Sequence, residues 1–155
     1  MATSNIDQGS EILAGYLAVS IGRYDFAIQI AKQASYEKRF HYTLNFPIID
    51  VPIEINNKRM PSPELILAII RQESEFDARA HSYAGARGMM QIMTYTARIV
   101  AKRARLPYSK KKLTSDPNYN IKLGSYYMAE LLEQYEGSYP FSIEAYNAGP
   151  KRVAY

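Results

Sequence analysis

Residues 62–73, SPELILAIIRQE, leave little freedom to the chain that carries them. Ser62 offers a capping hydroxyl, and Pro63 fits the first helical position, where its missing N–H is not needed. From 65 to 70 every residue is apolar. A helix that is apolar all round has no face to give to water, so other elements must enclose it. A chain of 155 residues is long enough to supply that shell as a buried core. The apolar run then meets Glu73. A carboxylate on the last turn of an enclosed helix is either neutralised by a cation or placed to hold a proton.

Composition narrows the options around this helix. Apolar residues are 47% and charged residues 22%, ordinary for a globular domain. No window approaches the ~18 apolar residues of a membrane span. The start, MATSNIDQGS, lacks the basic and apolar regions of a signal peptide. There is no cysteine, which excludes disulfides and Cys-ligated metals. His41 and His81 are too few for a His-rich site, so no metal and no cofactor is expected. The net charge of +4 favours anionic partners only weakly. Residues 98–112, RIVAKRARLPYSKKK, hold seven basic residues and no acid, with Arg98, Lys102 and Arg105 expected on one helix face. That run is a solvated surface or a patch for a polyanion. No helix-turn-helix spacing, zinc fingerprint, P-loop, GxSxG or HExxH is present, and nucleic acid is not an expected partner.

The chain reads as all-α. Helices are expected over 10–21, with Ile12, Leu13, Tyr16, Leu17 and Ser20 on one side, and over 24–39, with Phe26, Ile30 and Gln33 or Ala34 as the stripe. A short loop at Gly22 makes these an αα-hairpin. Residues 41–61, with three prolines, read as an extended linker with a short strand at most. After the helix ending near Glu73, residues 77–88 form a loop, 89–104 a helix and 105–116 a basic loop. Asp116-Pro117 opens a helix to about Gln134, with Ile121, Leu123 or Gly124, Tyr127, Met128, Leu131 and Leu132 inward, and Gly137 stops it. A shorter helix follows at 140–147 before the break at Gly149-Pro150.

On Glu73, burial and the negative end of the helix dipole act together, and both raise the pKa toward that of a general acid. The alternative is an ion pair with Arg71, Arg79 or Arg87. Glu75, two residues on, is expected to face solvent, and Asp77 to serve a turn or cap. Gly85 and Gly88 permit close backbone approach. Met89, Met90 and Met93 surround Gln91, either as core or as a ligand surface, and the Gln91 amide needs partners. In EAYNAGP, residues 144–150, a phenol and an amide, Tyr146 and Asn147, sit side by side where a helix ends.

Taken in order, RQES, GARGMMQIM and EAYNAGP resemble the catalytic domain of soluble lytic murein transglycosylases, a goose-type-lysozyme-like helical fold. The resemblance covers residues 45–155. Residues 1–44 resemble, more weakly, the last helices of the superhelical region that precedes this domain. It implies cleavage of the β-1,4 bond between N-acetylmuramic acid and N-acetylglucosamine, with a 1,6-anhydromuramyl end as product. Glu73 would be the catalytic acid and then the base. Ser82, Gln91, Met93, Tyr146 and Asn147 would line the glycan. Thr94 stands where the family often has proline after MQIM, and Asp77-Ala78 where it often has Asn-Pro. Family members continue past AYNAGP, so the resemblance also implies a catalytic domain shortened at its C-terminus. The implied partner is a peptidoglycan strand and the implied place the periplasm. A peptidoglycan-binding or scaffold role without turnover is the alternative.

Overall fold

The structure is a computed structural model that describes residues 8–153. The chain is all-α in character: eight α-helices and one 3-10 turn stand beside two hairpins of two-residue strands among the described residues. None of these helices is long and apolar enough to cross a membrane. The chain forms two compact units, divided between Ile49 and Asp50, with Glu75–Asp77 belonging to the first.

In the first unit, α1 (Gln8–Ser20) and α2 (Tyr24–Tyr36) pack on each other, followed by the single turn α3 (Tyr42–Asn45). The inward face of α1 is not the expected apolar stripe. Ile12, Leu13, Tyr16 and Leu17 are exposed, and Glu11, Gly15 and Ala18 are buried. Gly15 and Ala18 are small enough to seat Leu44 against the helix. Glu11 can be inward because Arg39 donates to both of its oxygens, at 3.1 and 3.2 Å, which holds its pKa below the ordinary value. On α2 the buried residues are Asp25, Ala27, Ile28, Ala31 and Ala34, not Phe26, which stays outside beneath the Arg23 guanidinium at 3.6 Å. Glu75 is not free in solvent: Lys32 Nζ lies 2.8 Å from its carboxylate. Phe76 is buried beside Tyr24, ring centroids 6.2 Å apart.

The second unit opens with an antiparallel hairpin, β1 (Glu54–Ile55) and β2 (Lys58–Arg59), inside the segment read as an extended linker. Asn56 and Asn57, at φ 48 and 63, make its two-residue turn, a conformation asparagine tolerates. The next helix, α4 (Pro63–Glu73), starts as expected: Leu65 N–H donates to Ser62 Oγ and Pro63 occupies the first turn. Leu65, Ile66, Ile69 and Ile70 are buried. Residues 77–88 are loop, ending in β3 (Ala86–Arg87), which pairs with β4 (Ile92–Met93).

The helix expected over 89–104 is α5 (Thr94–Arg103); residues 89–91 are a turn, with Gln91 at φ 48. Arg105, at φ 53, lies beyond α5, so it shares no helix face with Arg98 and Lys102. The loop 105–116 contains a short helix, α6 (Lys112–Ser115). Asp116 caps α7 (Pro117–Gln134) by accepting from Tyr119 N–H at 3.0 Å. Ile121, Leu123, Gly124, Met128 and Leu131 face inward, while Tyr127 and Leu132 are half-buried. The last α-helix is α8 (Tyr139–Ala148), with a 3-10 turn at Pro150–Arg152. Ile92, Ala97, Val100, Leu113 and Leu123 form one core cluster across α5, α6 and α7. Burying each of the larger side chains, Ile92, Val100, Leu113 and Leu123, contributes roughly 1.5–3 kcal/mol.

Candidate active site

Glu73 is the last residue of α4, which is not enclosed on every side as its apolar run suggested: Leu65, Ile66, Ile69 and Ile70 are buried, but Leu67 is half-buried and Ala68 exposed. The next residue, Ser74, fixes that end. Its Oγ donates to Met89 O at 2.7 Å and also reaches Ile70 O at 3.3 Å. The helix terminus is thereby tied to the Gly88–Gln91 turn. The Glu73 carboxyl is half-buried and makes no ion pair or hydrogen bond among the described residues, with Arg71, Arg79 and Arg87 included. Arg87 turns to His81 instead. Burial alone raises the Glu73 pKa above the 4.5 of an ordinary glutamate. Of the two readings open in the sequence, the geometry matches the desolvated acid.

Two clefts meet at Tyr146. The first, of about 170 Å³, has apolar walls from Leu65, Ile69 and Ile143, with Gln72, Glu73, Tyr146 and Asn147 at its polar end. The second, of about 240 Å³, is lined by Gln91, Met93, Thr96, Tyr127, Tyr146 and Asn147, among others. Tyr146 Oη donates to Met90 O at 2.7 Å, and its ring packs against Tyr127 with centroids 5.4 Å apart. Burial, followed by the charge of Glu73, drives the Tyr146 pKa well up, so the phenol stays a neutral donor. With its proton given to Met90 O, its lone pairs remain to meet a positive centre.

The sequence-derived site residues divide accordingly. Glu73, Tyr146 and Asn147 share the first cleft; Gln91, Met93, Tyr146 and Asn147 share the second. Met93 is 42% exposed and lines the second cleft. Gln91 is half-buried, and its Nε2 donates to Ala80 O and Gly88 O, at 3.1 and 2.9 Å. Its amide nitrogen therefore shapes the loop. Ser82 lies on an exposed turn, where its Oγ accepts from Ala86 N–H at 2.9 Å, and it lines neither cleft. Glu144 is exposed and also lines neither, which leaves Glu73 as the one carboxylate among the residues lining the two clefts. No group of three or more His, Cys, Asp or Glu among the described residues is placed to hold a metal ion.

Residues 50–155 match the family described as Transglycosylase SLT domain. The chain belongs to that family. The SLT domain is 42% identical over 88 residues to the soluble lytic murein transglycosylase of Escherichia coli K12, a stretch that is 56% of this chain and 14% of that protein. A putative soluble lytic murein transglycosylase of Haemophilus influenzae is 39% identical over 92 residues, 59% of this chain and 16% of the relative. Among solved structures, the 70 kDa soluble lytic transglycosylase of E. coli superposes with a TM-score of 0.82 at 29% identity, covering 97% of this chain and 24% of that one. An inactive glutamate-to-glutamine mutant of Slt from Pseudomonas aeruginosa gives 0.74 at 30% identity, covering 96% and 24%. The chain thus spans a small part of the length of its relatives. The helical fold of this chain is shared with these two solved structures.

Three residues lining the two clefts are not among the site residues expected from the sequence, although Gln72 lies within RQES. Tyr127 walls the second cleft from α7, and Gln72 and Ile143 line the first. Tyr127 sits one turn from Leu123 and Leu131 on a helix whose apolar face is evident, so in sequence it reads as core.

Proposed function

We propose that this domain cleaves peptidoglycan between N-acetylmuramic acid and N-acetylglucosamine, with Glu73 as the sole acid and base. What carries the reading is the Glu73 carboxyl itself: desolvated, without a cation partner, and sharing a cleft with Tyr146 and Asn147. Support also comes from the lytic transglycosylase names of the relatives, one of them inactive with a single glutamate replaced by glutamine. Protonated Glu73 gives its proton to the glycosidic oxygen, and the C1–O bond breaks with its electron pair on the leaving sugar. The positive charge on C1 is met by the muramic N-acetyl oxygen, with the Tyr146 lone pairs beside it. Glu73, now a carboxylate, takes the proton of the sugar's own 6-hydroxyl, and O6 closes on C1. A two-carboxylate glycosidase would need its second acid ~5–9.5 Å away; one carboxylate suits ring closure without water. Gln91 Oε1, Met93 and Asn147 then flank the strand. Residues 1–44 are read as the end of an upstream superhelical region, residues 45–155 as the catalytic domain, and the periplasm as the working place.

The test is digestion of purified peptidoglycan followed by mass spectrometry. Products one water lighter than those of a hydrolase are expected. Hydrated, reducing ends would replace the reading by hydrolysis, and retained binding without products would select the non-catalytic alternative. The rate is expected to fall as pH rises through the Glu73 pKa, with that limb lying above 4.5, because the acid form is the one that works. A limb at the ordinary glutamate value would remove the role of burial. Tyr146→Phe deletes the donor to Met90 O and the oxygen beside Glu73. It should lower kcat about 100-fold with little change in KM. An unchanged kcat would reduce Tyr146 to a wall.

A further inference from the structure

Asn120 takes no part in either cleft, yet it is completely buried and its side-chain amide makes three hydrogen bonds, all to backbone. Its Oδ1 accepts from Met90 N–H at 2.9 Å. Its Nδ2 donates to Arg87 O at 2.8 Å and to Leu113 O at 2.9 Å. A primary amide has one acceptor and two donors, and here each has a backbone partner. The first turn of α7 holds the side chain in place, through the Asp116 cap and the Asn120 N–H to Asp116 O bond at 3.2 Å.

The turn that Asn120 holds is the one that joins the two halves of the site. Met89 O receives the Ser74 hydroxyl, next to Glu73, and Met90 O receives the Tyr146 hydroxyl, both at 2.7 Å. These two carbonyls belong to successive peptide units joined at Met90 Cα, and the N–H of the first unit, that of Met90, is the group taken by Asn120. The separation of acid and phenol is therefore set through two adjoining peptide planes, the first of them held by Asn120. A chain of buried hydrogen bonds of this kind is stiff because each member loses its partner if another moves.

We propose that Asn120 is a positioning residue, which holds the Arg87–Met90 turn so that Glu73 and Tyr146 face one another across the first cleft. The inference rests on the reading of Glu73 and Tyr146 given above. Leucine in its place offers no hydrogen bond, and aspartate turns oxygens toward the Arg87 and Leu113 carbonyls. Either leaves the turn free to shift, and a misplacement of about 1 Å at a reacting group lowers rate on the order of 100-fold. A loosened turn also admits water to Glu73, and this lowers its raised pKa.

The experiment compares the full chain with its Asn120→Asp and Asn120→Leu variants, after circular dichroism confirms that each is folded. Two quantities are read. The first is turnover on peptidoglycan: kcat should fall 10- to 100-fold with KM changed less than about threefold. The second is the pKa of the Glu73 side chain by ¹³C NMR, assigned by its absence in Glu73→Gln, which should move down toward 4.5. Should the Asn120 variants fail to fold, Ser74→Ala removes the hydroxyl bond to Met89 O, together with the longer contact to Ile70 O within its own helix, and should shift the same titration in the same direction. Folded variants with wild-type kcat and an unmoved Glu73 titration would overturn the proposal, as would Ser74→Ala leaving the titration unmoved. If the wild-type chain shows no turnover at all, the proposed function fails, while the titration still decides the role of Asn120.

Discussion

Glu73→Gln is expected to lower turnover of peptidoglycan at least about 1,000-fold, because one group both donates and recovers the proton and each role is worth on the order of 10²–10⁴. Glycan binding should survive, since the amide keeps the shape of the side chain. The same substitution should raise the melting temperature at neutral pH. Glu73 has a folded-state pKa above its unfolded value of 4.5, through burial. Below 4.5 the carboxyl is protonated in both states and carries no penalty. As pH rises the unfolded chain ionises first, so stability is lost until the folded pKa is passed, and the deficit then persists at neutral pH. The glutamine variant has no such deficit. The two proteins should melt together at pH 4 and apart at pH 7, with the variant higher. If Glu73 were instead held by an arginine, the sign at pH 7 would reverse, because removing the charge would strand a cation. The melting experiment therefore discriminates between the two readings of Glu73 without any assay of activity.

The parts of the fold legible in the sequence are those coded by neighbours along the chain. Ser62-Pro63 and Asp116-Pro117 act within one turn of themselves, and both helices start there. Glu73 could be placed because its helix is short and its apolar run unbroken. The face of α1 was not legible, because a hydropathy stripe selects bulk. Ile12, Leu13, Tyr16 and Leu17 outrank Glu11, Gly15 and Ala18 on any such scale. What turns the helix the other way is an arginine 28 residues on and a leucine that needs small neighbours. The hairpin at Asn56-Asn57 has strands of two residues, too short to show alternation. The start of α5 was misplaced for a related reason. Met89, Met90 and Gln91 are adequate helix formers, but Asn120, thirty residues away, takes the Met90 N–H, and Gln91 adopts a left-handed backbone. Local propensity yields there to one buried amide, and that amide reads in sequence as an ordinary polar residue near a helix start.

Gly88→Ala is expected to be the most damaging single-methyl change in the site. Gly88 has φ 75, and a Cβ there would overlap the Leu113 carbonyl and the Asn120 amide, lying 2.9 Å from Asn120 Cγ. Three costs combine. The left-handed backbone opposes alanine by roughly 1–2 kcal/mol. Overpacking adds about 1–3 kcal/mol. Displacing Asn120 strands buried polar groups, at about 1–3 kcal/mol. A total on the order of 4 kcal/mol is a large part of the ~5–15 kcal/mol that holds a domain of this size together, and at about 2–4 °C per kcal/mol it corresponds to a melting temperature lower by roughly 10 °C. Gly137→Ala is the matched control: its φ is 80 and nothing lies within 4 Å of the added Cβ, so it carries the backbone strain alone. The difference between the two melting temperatures thus isolates the contact with Asn120 and Leu113 from the conformational term. Equal shifts would mean that the Arg87–Met90 turn can move aside freely, and a turn that moves freely could not hold Ser74 and Tyr146 at a fixed separation.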